Sequence, residues 1–441
     1  MNPNVLFIVV DSLRGDRIFN KSKTTVTPNI DSLINKGTYF SKCINSSDVT
    51  GICLGNIFTG MYSNKTGIKL RRFNPKIQTM FDLLRKNNYS LYATIPDLTW
   101  FNQLTTKFDY VDKFFSANRK QDGLSDNVGK QILEQLNSKK MHEPWFYYIH
   151  LQDLHDEIIV PDEFDNEKFG NSQYDRMVSF IDQWVGNFLN LIDLNSTLVV
   201  ITSDHGEYIH HINNVEVIPK VQSFMREGKK LFPKLEPLGL KIFILIRKFN
   251  AYFQRKKLKK KLTSEQFRTL NTRGQETLYD ETLNVPLLFV GKGISPQISD
   301  TLVSGVDILP TIMNHLQLPF DSSPIDGRNL GNLSKNIQIN EVPIFIESGD
   351  TQEHKEGLVI GIRNSKFKYF RSRKNPKKNI HLYNLELDPK ETNNIANSNP
   401  DMIKTMEKFL KKFQDNSNNI TLDDDENTKN IEEELKKLGY V

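Results

Sequence analysis

Two short stretches of unbroken apolar character, Val5 to Val10 and Leu198 to Ile201, each run forward into an acid. The first leads directly to Asp11; the second passes through Thr202-Ser203 to Asp204, His205, Gly206 and Glu207. Val/Ile-rich runs of this length predict parallel strands covered on both faces, and ligand sites in open α/β sheets lie beyond the carboxyl ends of such strands. Between them the apolar period alternates. Pro28 to Lys36 puts Ile30, Leu33 and Ile34 on one helical face and stops at Gly37, and Thr38 to Ile44 returns as an extended segment. The pattern then predicts a helix over Thr79 to Asn87, a strand over Tyr89 to Ile95, and a helix over Asp126 to Leu136. A strand over Trp145 to Leu151 and a helix over Tyr174 to Leu191 follow, the helix leading into the Leu198 strand. This alternation predicts a doubly wound α/β architecture, and no internal repeat interrupts it. After Pro319 the texture changes to short polar segments with strand-like Val342 to Glu347, Leu358 to Ile362 and Phe367 to Arg371. Asp415 to Thr428 is polar and acidic, which predicts mobility, and a terminal helix is expected after it.

The strand ends carry the candidate chemistry. Asp11, Asp204 and His205 offer oxygen and imidazole donors, a set that suits one divalent cation; read singly, each is also an ordinary solvated turn residue. A third segment, Thr50-Gly-Ile-Cys-Leu-Gly-Asn-Ile-Phe-Thr-Gly60, opens with a hydroxyl. Thr50 reads either as a helix N-cap or as a nucleophile, and the two are compatible because a helix N-terminus also stabilises an anion.

Together these segments resemble the sulfatase-like branch of the alkaline phosphatase superfamily. The likeness extends, in family order, through Thr27-Pro-Asn-Ile-Asp-Ser-Leu33, Tyr279-Asp-Glu-Thr-Leu-Asn-Val-Pro-Leu287, Val303-Ser-Gly-Val-Asp-Ile-Leu-Pro-Thr311 and Leu382-Tyr-Asn-Leu-Glu-Leu-Asp-Pro389 to the C-terminal Ile431 to Tyr440. The resemblance implies an alkaline-phosphatase-like, mostly parallel sheet with a small C-terminal antiparallel sheet subdomain. It also implies one divalent metal ion (Mn²⁺, Mg²⁺, Ca²⁺ or Zn²⁺) held by Asp11, Thr50, Asp204 and His205, with Thr50 as the residue transiently esterified. His155 matches the family's Asp-Pro-His-x-Pro-Tyr histidine, with Leu154 in place of proline, and is the expected proton donor to the leaving oxygen. His210 and His211 fall near another family histidine, and His211 is taken as the one that meets substrate. The family's active-site lysines have no clear counterpart; Arg273 and Gln275 lie near one such position.

The departures bear on substrate class. Sulfatases oxidise a Cys or Ser in a Cys-x-Pro-x-Arg type motif to formylglycine, whereas Thr50, Ile52 and Leu54 stand at its Cys, Pro and Arg. Threonine cannot yield that aldehyde, and Cys53, out of frame, reads as a buried small side chain. Ser12 replaces the second acid of the sulfatase pair. Phosphoryl chemistry through an unmodified threonine resembles that of the family's phosphoglycerol and phosphoethanolamine transferases.

Composition changes the picture little. At 441 residues the chain exceeds one ordinary core, so residues 1–330 are expected to form the catalytic domain and 331–441 an α+β subdomain with the terminal helix. Two cysteines and no basic flank before the first strand suggest the cytoplasm. A net charge of +5 does not argue for nucleic acid, and none is expected as a partner. The charge concentrates in an insertion at 212–270, where residues 238–261 combine an apolar run with Arg255 to Lys261. A cap over the site is the favoured reading of this insertion, and a basic amphipathic helix on a membrane surface or anionic polymer its alternative. The expected function is a metal-dependent hydrolase or transferase of phosphate mono- or diesters through a covalent Thr50 intermediate. Two alternatives stand beside it: a sulfatase without formylglycine, and a non-catalytic member that binds an anionic glycan or a membrane surface.

Overall fold

The computed structural model describes residues 2–209, 276–331, 340–349 and 357–415 except 71, 118–119, 139 and 156–157, together with 256, 262–263, 267–268 and 333. The chain divides into two compact units, Met1–Glu207 with Arg273–Val441, and Tyr208–Thr272. Most of the second unit, including His210, His211 and nearly all of 238–261, lies outside the described residues, as does the expected terminal helix.

Within the first unit an eight-stranded sheet is built from β1 (Asn4–Val10), β2 (Thr38–Ile44), β3 (Ser90–Pro96), β4 (Tyr110–Phe114), β7 (Trp145–Leu151), β8 (Thr197–Thr202), β9 (Asn284–Val290) and β10 (Gln297–Val303). Two-residue strands β5 (Ser116–Ala117) and β6 (Lys120–Gln121) pair separately. The sheet order is β10-β2-β9-β8-β1-β7-β3-β4, and every strand runs in one direction except β9. β1, β7 and β8 are buried at every position, as a strand covered on both faces by helices must be. Aromatic packing fills one layer: Phe58 sits 4.5 Å from Phe81 and 5.2 Å from Tyr148 between ring centroids.

The helices obey local rules. The Met80–Lys86 helix is closed at its start by a reciprocal capping box between Thr79 and Asp82. The Gln173–Leu189 helix begins at Ser172, whose hydroxyl accepts from the Asp175 amide. Gly60, at φ 67°, ends the Thr50–Thr59 helix in the left-handed conformation that a side chain would resist.

A second, antiparallel sheet runs β11 (Ile344–Glu347), β12 (Val359–Arg363), β13 (Phe367–Ser372), β14 (His381–Asn384). Several contacts tie it to the loops of the main sheet. The Glu347 amide donates to the Ser46 carbonyl at 2.7 Å. Fully buried Lys368 reaches Asp280 at 2.5 Å, Glu391 at 2.7 Å and the Leu278 carbonyl at 3.1 Å, while Arg363 takes the other Asp280 oxygen at 3.1 Å. Among the described residues no helix is long and apolar enough to cross a membrane.

Candidate active site

Strand register brings the site together. β1 and β8 pair in parallel with Val9 opposite Thr202, so Asp11 and Asp204, each two residues further on, leave the sheet side by side. On the other flank Val9 faces His150 of β7, and the Asp11 amide donates to Leu151 at 2.8 Å. The loop after β8 is pinned: Asn45 donates its side-chain amide to the Ser203 and Asp204 carbonyls at 2.9 and 2.5 Å. Gly206 donates its amide to Thr282 at 2.8 Å. Asp11, Asp204 and His205, all buried, thereby offer one ligand atom each within 4.8 Å of one another.

The donors around these groups are distributed unevenly. Asp204 Oδ1 accepts from the amides of His205 and Ser12 at 2.9 and 3.2 Å, yet its Oδ2 is buried with no hydrogen-bond partner among the described residues. That oxygen lies 3.3 Å from His205 Nε2, and Asp11 Oδ1 lies 3.8 Å from the same nitrogen. His205 Nδ1 faces the Gly206 carbonyl at 3.0 Å, which assigns the proton of a neutral ring to Nδ1 and leaves the Nε2 lone pair among carboxylate oxygens. The Nε2 lone pair and the carboxylate oxygens around it repel; a divalent cation between them removes the conflict, so the donor set fits the metal that the sequence motifs imply.

Histidines compensate the buried acids. Burial alone would raise the Asp11 carboxyl, but the electrostatic influence of His155, the hydrogen bond from His150 and the nearby His205 imidazole hold it well below the ordinary carboxylate range. His150 Nε2 lies 3.3 Å from Asp11 Oδ2, and its Nδ1 2.8 Å from the Tyr148 hydroxyl. Burial, then the nearby Asp204 and Asp11, push the Tyr148 phenol up, so it donates to Nδ1 and leaves the Nε2 proton for Asp11.

Thr50 is the first residue of its helix, and the cap position belongs to Val49, which makes no side-chain cap bond. The hydroxyl is therefore not spent on the helix; it lies 3.2 Å from His205 Nε2. Cys53, one turn on, is fully buried with its thiol directed at the Ser47 carbonyl, and burial raises that thiol well above its usual range. Asp11, Thr50, Asp204 and His205 are thus one cluster. His155 lies in the turn after β7, buried, with its amide donating to Gln152 at 2.9 Å and its charge acting on Asp11. His211 lies outside the described residues. The sequence reads His150 only as a strand residue, as it is, and gives it no part in the site; its signal is a titratable residue inside a seven-residue strand that is otherwise apolar and aromatic. The sequence also presents Ser12 only as a missing acid, whereas Ser12 bonds both carboxylates.

Residues 3–318 match the family model described as Sulfatase. Arylsulfatase K of Rattus norvegicus is 19% identical over 442 residues, covering 93% of this chain and 77% of that protein. A protein of Haemophilus influenzae is 25% identical over 214 residues, covering 48% of this chain; the chain spans about a third (33%) of that relative's length. Among solved structures, the phosphonate monoester hydrolase of Agrobacterium radiobacter superposes with a TM-score of 0.68 at 14% identity, covering 94% of this chain and 96% of the other. A 2-O glycosaminoglycan sulfatase gives 0.63 at 16% identity, covering 98% and 96%.

Proposed function

The chain belongs to the sulfatase family, and from that membership we propose that it is a metal-dependent hydrolase or transferase of phosphate mono- or diesters working through an unmodified Thr50. The observation that carries the reading is the Thr50 hydroxyl, free of any capping duty and 3.2 Å from His205 Nε2 at the edge of the Asp11, Asp204 and His205 cluster. Asp11, Asp204 and His205 would hold one divalent ion with Thr50 completing the set, and such an ion polarises the ester and lowers the energy of an alkoxide.

The residues themselves divide the work. Thr50 Oγ, having released its proton to solvent, forms the new bond to phosphorus while the bond to the leaving oxygen breaks, and His155 gives that oxygen its proton. The helix that begins at Thr50 directs its first amides toward the anion that results. Water, or an acceptor alcohol in a transferase, then displaces Thr50 from phosphorus. His155, and then the hydrogen bond from His150 whose tautomer Tyr148 fixes, favour the ionised Asp11, which keeps its oxygens available as ligands.

The second reading, a sulfuric ester hydrolase using the same threonine, draws support from relatives whose names are sulfatases. Aryl phosphate monoesters, phosphodiesters and aryl sulfates turned over side by side with Mn²⁺ decide between the two. Preference for a phosphate ester with a phosphorylated or phosphodiester-linked Thr50 peptide in the mass spectrum is expected. Exclusive turnover of sulfates would replace the proposal with the second reading, and metal-independent absence of turnover on all three would favour a non-catalytic member.

A further inference from the structure

Ser12 stands where the sulfatase pattern has a second acid, and its backbone is unusual: φ is 65°, the left-handed region that non-glycine residues rarely occupy. In that pose its amide donates to Asp204 Oδ1 at 3.2 Å and its hydroxyl to Asp11 Oδ1 at 2.9 Å. One residue thus joins both carboxylates and turns Asp204 Oδ2 loose toward His205. The turn is gripped from outside by Tyr174, in the first turn of the Gln173–Leu189 helix. Its phenol donates to the Ser12 carbonyl at 2.6 Å and accepts from the Arg14 amide at 2.9 Å, spanning the residue on both sides of Leu13. Leu13 is fixed between them, its amide donating to Ser203 Oγ at 3.0 Å. Ser12, Asp11, Asp204 and Tyr174 are all buried, so no water competes for these bonds.

We propose that Tyr174 is a positioning residue for the metal centre: its phenol holds Ser12 in the left-handed turn, and Ser12 in turn sets the two ligand carboxylates without adding a third negative charge. The inference rests on the metal-centred function above and adds to it the device that orients the ligands. A hydrogen-bonded partner behind a ligand is worth roughly 10- to 100-fold in metal affinity. The backbone part of the device is removable, because glycine adopts positive φ without help.

The test is calorimetric titration of Mn²⁺ into metal-stripped full-length protein, beside thermal melting of the same samples and kcat and KM on an aryl phosphate. Tyr174→Phe is expected to weaken Mn²⁺ about tenfold or more and to lower kcat with little change in KM. Ser12→Gly weakens Mn²⁺ by losing the Asp11 bond, but adding Tyr174→Phe to it should cost no more than about a further twofold. A merely structural tyrosine predicts the same penalty in both backgrounds, and that result, or wild-type affinity in Tyr174→Phe, overturns the proposal. Should Tyr174→Phe fold poorly, Ser12→Ala serves alone: it keeps the grip on the backbone and loses only the hydroxyl. Weaker Mn²⁺ binding with an unchanged metal-free melting temperature supports the proposal, and unchanged Mn²⁺ binding overturns it. Metal uptake is read without substrate, so a protein that binds Mn²⁺ yet turns over no ester counts against the proposed function and leaves this result standing.

Discussion

Replacing Gly206 by alanine should disable the site through a single methyl group. A Cβ there would press into the Glu281 carbonyl oxygen, with the Arg14 Cγ at 3.1 Å and the Glu281 carbonyl carbon at 3.2 Å closing the other sides. The oxygen belongs to backbone and cannot rotate away, so the Asp204 to Glu207 loop must withdraw by about 1 Å to restore ordinary contact. That shift strains the Gly206 amide bond to Thr282 at 2.8 Å and carries His205 away from Asp11. A displacement of about 1 Å at a catalytic group costs on the order of 100-fold, or about 2.7 kcal/mol of transition-state stabilisation. Steady-state kinetics on the best aryl ester, with Mn²⁺ affinity by calorimetry, measures both consequences. Gly293→Ala is the matched control: φ is 81° there, so it also loses stability, but it follows β9 at the end of the sheet away from the site. Gly206→Ala turning over within about threefold of wild type, with unchanged Mn²⁺ affinity, would refute the claim that this contact sets the ligand loop.

Thr50→Ala should abolish the covalent intermediate while the protein still takes up Mn²⁺, Thr50→Ser should retain partial turnover, and Cys53→Ala should leave it near wild type; intact-protein mass spectrometry with a kinetic series reads all three. Lys368→Met takes the lysine from buried Glu391 and leaves the part-exposed Asp280 to Arg363, which should cost about 3 kcal/mol in urea denaturation. Burial pushes Glu391 up to about 7, so the variant's deficit should be smaller at pH 5, where that carboxyl is protonated, than at pH 8. Burial also lowers His381 from 6.5 to about 4, and a group depressed in this way favours the fold only while neutral: its contribution is complete above pH 6.5 and lost progressively toward pH 4. The gap of about 2.5 units corresponds to about 3 kcal/mol, so chemical denaturation of His381→Gln should show a shallower loss over that window than wild type.

What the sequence disclosed depended on whether a residue's role follows from its own neighbours in the chain. β1, β7 and β8 were legible because a strand buried on both faces must be apolar throughout, and their ends marked Asp11 and Asp204 for the same reason. β10 was not, since its exposed Gln297 to Thr301 half presents alternating polarity at the sheet edge and Ile298 is half exposed. The reversed direction of β9 was equally hidden, because its composition suits either pairing and only its position between β8 and β2 decides it.

The same distinction separates the candidate ligands from what holds them. Carboxylates and imidazoles at strand ends announce themselves by type, whereas the Tyr174 phenol acts on Ser12 across 162 residues and His150 on Asp11 across 139. Nothing local in either segment distinguishes a tyrosine that grips a turn from one that fills a core. Thr50 is the intermediate case: its type allowed both a cap and a nucleophile, and the choice fell to the backbone, which puts Val49 at the cap and turns the Thr50 hydroxyl to His205. A valine at a helix N-cap is a poor use of that position, costing on the order of 1 kcal/mol against Ser, Thr or Asp. The helix accepts that loss and keeps its first hydroxyl for His205 rather than for its own cap, an arrangement that serves an incoming anion better than it serves the helix.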